Sequence, residues 1–314
     1  MGITRASIYR IAIVLLLEGH VLAQGPKVDG DVRVAIVNGD EITLTEVEAV
    51  LKQRPVSLTA PTAGRRRQMR LEVLTALIDD LLIRQFMRDY GPKVEAADVD
   101  KQYASLEDGL KTQNKTIGAF LQESNQTEAQ VRSSMLMQLQ LDRYIKEQTT
   151  ETDLKKYYET NKEYFDKTTV RSSHIAIRLP ADAPAEDKEK AKQKLQALRA
   201  DIVAGKIEFA KAAKENSDCP SAPKGGDIGH IFRKFQNVEE AYAKAAFAMK
   251  VGDISEVVET DFGLHLIKVT ERTDGKPSQY ETCVDDVRGC HAEELRLALL
   301  NRLRKKAKVE VTLP

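Results

Sequence analysis

Ser217-Asp218-Cys219-Pro220-Ser221, followed by Gly225-Gly226-Asp227-Ile228-Gly229, puts a carboxylate, a thiol and a glycine-rich turn within thirteen residues. Two histidines frame this stretch from a distance: His174 in Ser172-Ser173-His174-Ile175-Ala176-Ile177, and His265 in Gly263-Leu264-His265-Leu266-Ile267-Lys268-Val269. Each lies in a short apolar or β-branched run bounded by polar or turn residues, so both read as strand positions. If those strands are neighbours, two imidazoles, one thiol and one carboxylate share a cleft. A thiol beside an imidazole base is the pattern of a hydrolase or other thiol enzyme, but no oxyanion element accompanies it. His174, Cys219 and His265 could also bind zinc, although they lack the close paired spacing of zinc ligands. A lone strand histidine usually serves structure, so the pair has to be judged by its setting.

The elements that must position these groups belong to a chain of 314 residues, enough for two domains with separate cores. Charged residues make up 31% and cancel to a net charge of zero, which gives nucleic acid or an anionic membrane no general attraction. Aromatic residues are few and Trp is absent, which suits a helix-rich α+β protein. Neither a phosphate-binding loop nor a clustered metal-ligand motif occurs, so no cofactor or metal is expected.

Arg5 and Arg10 precede the apolar run 11–17, and small Ala23 precedes Gln24. A basic region, a short apolar core and a small-residue cleavage site describe an export signal over residues 1–23. The run is shorter than the roughly 20 apolar residues of a membrane span, so no stable insertion is expected once the signal is removed. Cys283 and Cys290, seven residues apart in an expected helix, are separated by a rise of about 10 Å, beyond disulfide reach. Cys219 is then an unpaired thiol.

In chain order, Arg33–Val37 reads as a strand turned by Asn38-Gly39-Asp40 into Glu41-Ile42-Thr43, since Asn-Gly is the strongest short hairpin signal. Thr43 or Thr45 caps a helix to residue 51. Amphipathic helices follow over 65–90, 98–111 and 128–149, the last with Thr127 and Gln130 as a capping box. One more helix is expected over 153–165, and its Tyr157, Tyr158 and Phe165, like Met135, would fill a core or line a groove for apolar clients. Beyond residue 167 the expected order is a strand over 169–179, helices over 185–203, 208–215 and 238–249, and strands over 254–260 and 264–269. The stretch 217–229 reads as a loop.

This second segment resembles the parvulin peptidyl-prolyl isomerases along its whole length. The resemblance is carried by His174-Ile175, Phe209-Ala210, Ser217-Asp218-Cys219-Pro220-Ser221, Gly225-Gly226-Asp227-Ile228-Gly229, Ala246-Phe247-Ala248-Met249, Gly252-Asp253-Ile254-Ser255 and Thr260-Asp261-Phe262-Gly263-Leu264-His265. Each piece is weak alone, and their order and spacing make the set specific. The flanks resemble the SurA/PrsA-like secreted foldases, in which a helical chaperone module with a Val-Asn-Gly strand precedes the parvulin domain. A C-terminal helix and strand then return to that module; here they are 278–306 and 309–313.

The resemblance implies a helical chaperone module over 24–167, a parvulin domain over 168–273 with a small antiparallel sheet flanked by helices, and a returning segment over 274–314. It implies an exported, periplasmic or otherwise extracytoplasmic foldase, acting on X-Pro bonds of unfolded or nascent polypeptides with holdase activity. The alternative is an ATP-independent chaperone whose parvulin domain binds peptide with little turnover. His174 and His265 are implied as paired imidazoles with Thr260 as hydroxyl partner, and Asp218 and Cys219 as neighbours of the reacting carbonyl. Val238 and Tyr242 fall where the family has proline-pocket side chains, and Ile228 and Ile231 would complete that pocket. This chain departs from the family in having two extra residues between Gly229 and Phe247, and Val and Tyr where Met and Phe are commoner. Asp182, Glu186 and Asp187 follow Arg178 where phosphate-directed parvulins are basic, which argues against phospho-Ser/Thr-Pro specificity.

Overall fold

The computed structural model describes residues 31–52, 62–124, 126–180, 183–234 and 238–313. The expected export signal at 1–23 and Asp182 lie outside the described residues. The chain divides into two compact units, residues 1–150 with 290–314, and residues 151–289.

In the first unit, β1 (Arg33–Val37) and β2 (Asp40–Thr43) form a hairpin through Asn38 and Gly39, both at positive φ. That conformation suits Asn and Gly, which is why the sequence marks the turn so clearly. Helix α1 (Leu44–Lys52) starts on Thr43, whose hydroxyl accepts from the Glu46 amide while Glu46 accepts from the Thr43 amide. Then come α2 (Ala63–Tyr90), α3 (Ala96–Lys111), α4 (Ile117–Glu123) and α5 (Glu128–Glu147). The Thr127–Gln130 capping box is complete. Strand β7 (Val309–Val311) returns to β1, giving the order β2-β1-β7. Asn38 fixes this closure: its amide donates to the Lys308 carbonyl, its side chain accepts from the Lys308 amide, and its Nδ2 donates to buried Gln85. Val34, Val37, Val47, Leu74 and Leu77 fill the core beneath, and Val131 and Met135 pack with Val99 and Tyr103 in another.

The second unit holds α6 (Glu151–Thr160), α7 (Lys162–Phe165), β3 (Thr169–Arg178), α8 (Ala185–Val203), α9 (Phe209–Asn216), β4 (Asp227–Phe232), α10 (Glu240–Phe247), β5 (Val258–Thr260) and β6 (Gly263–Thr273). Its antiparallel sheet runs β4-β3-β6-β5. Helix α11 (Tyr280–Lys306) runs unbroken through Gly289, and none of the three cysteines is in a disulfide. Tyr157, Tyr158 and Phe165 are buried against one another, so this aromatic stripe is packing.

Three local expectations need correction. The single helix over 153–165 breaks at Asn161, whose side chain turns back to the Tyr157 carbonyl. The strand over 254–260 is confined to 258–260 plus a single bridge from Ile254 to Lys268, since Arg199 takes the Ile254 and Ser255 carbonyls and the Ser255 hydroxyl takes the Ile267 amide. The stretch expected as a loop to Gly229 becomes strand β4 from Asp227 onward. Its glycines sit in a bulged pairing with β3, where Ser172 faces Gly229 and Ser173 faces Asp227.

Candidate active site

Alternation along β3 and β6 assigns the side chains to faces. Ile175, Leu264 and Leu266 pack with α8 and α9, while Val170, Ile267 and Val269 pack with α10. His174 and His265 fall on the α10 side, 8% and 7% exposed. Their rings stack with centroids 5.3 Å apart and planes 13° apart, and the two Nδ1 atoms are 3.3 Å apart. The Tyr242 ring meets both edge-on, at 5.7 Å and 5.8 Å.

Hydrogen bonds tie the two imidazoles to each other and to Thr260. The Thr260 hydroxyl accepts from the Phe262 amide and lies 2.9 Å from His265 Nε2 and 3.4 Å from the Gly263 carbonyl. The two Nδ1 atoms share one proton between them, and His174 Nε2 is buried without a protein partner. Burial holds both imidazoles down to a pKa of about 4, with His174 adding to the effect on His265. The pair is neutral at pH 7.

The Asp218-Cys219 loop is tied to the end of β3. The Asp218 amide donates to the Ala176 carbonyl, the Ala176 amide to the Ser217 hydroxyl, and the Arg178 amide to the Asp218 carboxylate at 3.0 Å. Gly226 lets the turn close on the strand. It has φ +82°, its carbonyl accepts from the His174 amide, and a Cβ there would stand 2.2 Å from the His174 carbonyl oxygen. Cys219 is half-buried and Asp218 exposed. Among the described residues neither forms a hydrogen bond with an imidazole, and no three metal-ligating side chains converge.

Ile228, Ile231, Val238 and Tyr242 share one apolar cluster. Ile228 and Val238 are partly open to solvent, whereas Ile231 and Tyr242 are each 3% exposed. The sequence reading missed Ser172, which is fully buried with its hydroxyl 3.1 Å from that of Tyr242. The signal was its position two residues before His174, on the same face of a strand.

The sequence profile of the PPIC-type PPIASE domain matches residues 174–271, and that of the SurA-like N-terminal domain matches residues 4–145. The peptidyl-prolyl cis-trans isomerase Pin1 of Arabidopsis thaliana is 45% identical over 83 residues, covering 26% of this chain and 68% of that protein. The chain belongs to the parvulin peptidyl-prolyl isomerases. A foldase protein PrsA of Clostridium botulinum, strain Okra, is 25% identical over 302 residues, covering 88% of this chain and 86% of the relative. For the Loch Maree strain the figures are 27% over 233 residues, with 71% and 66% covered. Among solved structures, a peptidylprolyl isomerase (PrsA) from Bacillus anthracis is 25% identical with a TM-score of 0.46, covering 74% of this chain and 96% of that one. A parvulin domain with a SurA-like N-terminal domain is thus the architecture of this chain.

Proposed function

We propose that the protein is an exported foldase that isomerises X-Pro bonds in unfolded or nascent envelope and secreted polypeptides. In this reading residues 168–273 carry the reaction, and residues 24–167 with 274–314 hold clients. The observation behind it is the neutral, stacked imidazole pair tied to Thr260 and set beside the loop of Asp218 and Cys219.

A peptide bond turns over a barrier of roughly 18–20 kcal/mol because twisting removes amide resonance. The twisted carbonyl oxygen is less negative than the planar one and the nitrogen gains a lone pair. A desolvated floor of neutral side chains disfavours the planar amide's charge separation more than it does the twisted state, and only such differential interaction speeds the step. Neutral imidazoles keep the floor of the cleft uncharged. Asp218 and Cys219 border the carbonyl, and the partly open Ile228 and Val238 take the proline ring. Export rests on the basic, apolar and small-residue pattern of 5–23, and the chaperone role on the likeness to proteins named foldases.

The burial of Ile231 and Tyr242 favours a second reading, a peptide-binding domain with little turnover, because it leaves less open apolar surface for a proline ring. A protease-free NMR exchange assay on an Ala-Pro peptide separates the two. We expect catalysed exchange with the mature protein and a loss on the order of 100-fold in a folded His174→Ala/His265→Ala variant, the scale of losing a preorganised polar group. No exchange with the parent, across several residues before proline, would leave the binding module as the function.

A further inference from the structure

Ser172 and Tyr242 are the polar groups of the cleft that no step above uses. Ser172 is fully buried on β3, two residues before His174 and on the same face. Tyr242, 3% exposed on α10, reaches across to it with hydroxyl oxygens 3.1 Å apart. A buried hydroxyl without a partner is costly, so the two hydroxyls fix each other's place. The Tyr242 ring then stands edge-on to both imidazoles at interplanar angles of 80° and 88°. Burial pushes the phenol well above its ordinary range, with the Cys219 charge adding to the effect, so it stays a neutral hydroxyl. A Phe at this position would fill the same space with nothing to anchor its far end.

We propose that Ser172 and Tyr242 are positioning residues, a hydroxyl clasp between β3 and α10 that sets the tilt and separation of the His174–His265 pair. The ring of Tyr242 acts through the imidazoles that it meets edge-on. The effect on turnover rests on the isomerase reading, whereas the effect on the imidazoles does not.

The test uses the full mature chain as parent, Ser172→Ala, Tyr242→Phe and the double variant. It records long-range 1H–15N spectra of the imidazoles, kcat and KM for an Ala-Pro peptide, and thermal melting. Each single variant should melt lower, because one buried hydroxyl is left unpaired. The double variant should recover part of that loss, because neither remains. The imidazole nitrogen resonances should nevertheless move in all three variants, and kcat should fall about tenfold with KM within about twofold, as expected for misplaced groups. A double variant with parental imidazole resonances, or with parental kcat, would overturn the clasp and leave the two residues as ordinary packing. If the parent catalyses no exchange, the isomerase reading fails, and the resonances alone decide the clasp by moving or staying.

Discussion

The two faces of the parvulin sheet are built from the same strands and have opposite contents. On one, Ile175, Leu264 and Leu266 meet Leu195, Phe209 and Ala212 in a slab of apolar side chains. On the other, Ser172, His174 and His265 sit among Tyr242 and Ile267, with the two hydroxyls paired and the two Nδ1 atoms paired away from water. One side supplies the stability that lets the other hold desolvated polar groups in a fixed geometry. A period of two along β3 and β6 makes this division possible, since neighbouring residues serve different faces.

Acid should strain the histidine face most. Both imidazoles have a folded value of about 4, below the ordinary 6.5, with burial as the main cause. Between those values the unfolded chain takes up protons that the folded chain refuses. This contribution is therefore complete above about pH 6.5 and declines as the pH falls toward 4, by up to about 3 kcal/mol for each imidazole. Denaturant titrations at pH 7 and pH 4.5 measure it, and His174→Leu/His265→Leu should flatten the difference. An equal pH slope in parent and variant would mean that this face is wet in solution.

Leu266→Ala strikes the other face. Leu266 is fully buried, and a large-to-small change there should cost about 3 kcal/mol. Because β6 keeps its register through backbone pairing with β3, kcat/KM per folded molecule should stay within about twofold. A fall in kcat/KM parallel to the loss of stability would show that the faces do not act separately.

The sequence conveys this division unevenly. The alternation that buries Leu264 and Leu266 opposite His265 is plain in the strand, and the helices are plain from their period and caps. Strand β4 is hidden because Gly226 and Gly229, which read as loop residues, occupy positive φ in a bulged edge. The apolar stretch from Ile254 looks like strand but loses two carbonyls to Arg199, a partner 55 residues away. The Asp218 carboxylate accepts from the Arg178 amide, a long-range bond that no local pattern announces. The hydroxyl clasp is equally silent, because Ser172 and Tyr242 are 70 residues apart and meet only through the packing of α10 on the sheet.

The smallest effect sharpens the comparison most, because it removes one hydroxyl without altering the volume of the histidine face. Thr260→Val removes the hydroxyl partner of His265 Nε2 and keeps the shape of the side chain. The stranded nitrogen on a residue 7% exposed should cost about 1 kcal/mol. The substitution also removes the hydroxyl contact that orders the imidazole protons from the β5–β6 hairpin. We expect kcat/KM to fall several-fold, in contrast to Leu266→Ala, where the stability loss is larger and the rate is kept. Thr260→Ser, which retains the hydroxyl, should return the rate even if stability stays slightly low. If Val and Ser behave alike in the exchange assay, the Thr260 bond holds the hairpin of β5 and β6 and does not set the imidazole protons. The tautomer order would then have to come from the contact between the two Nδ1 atoms alone.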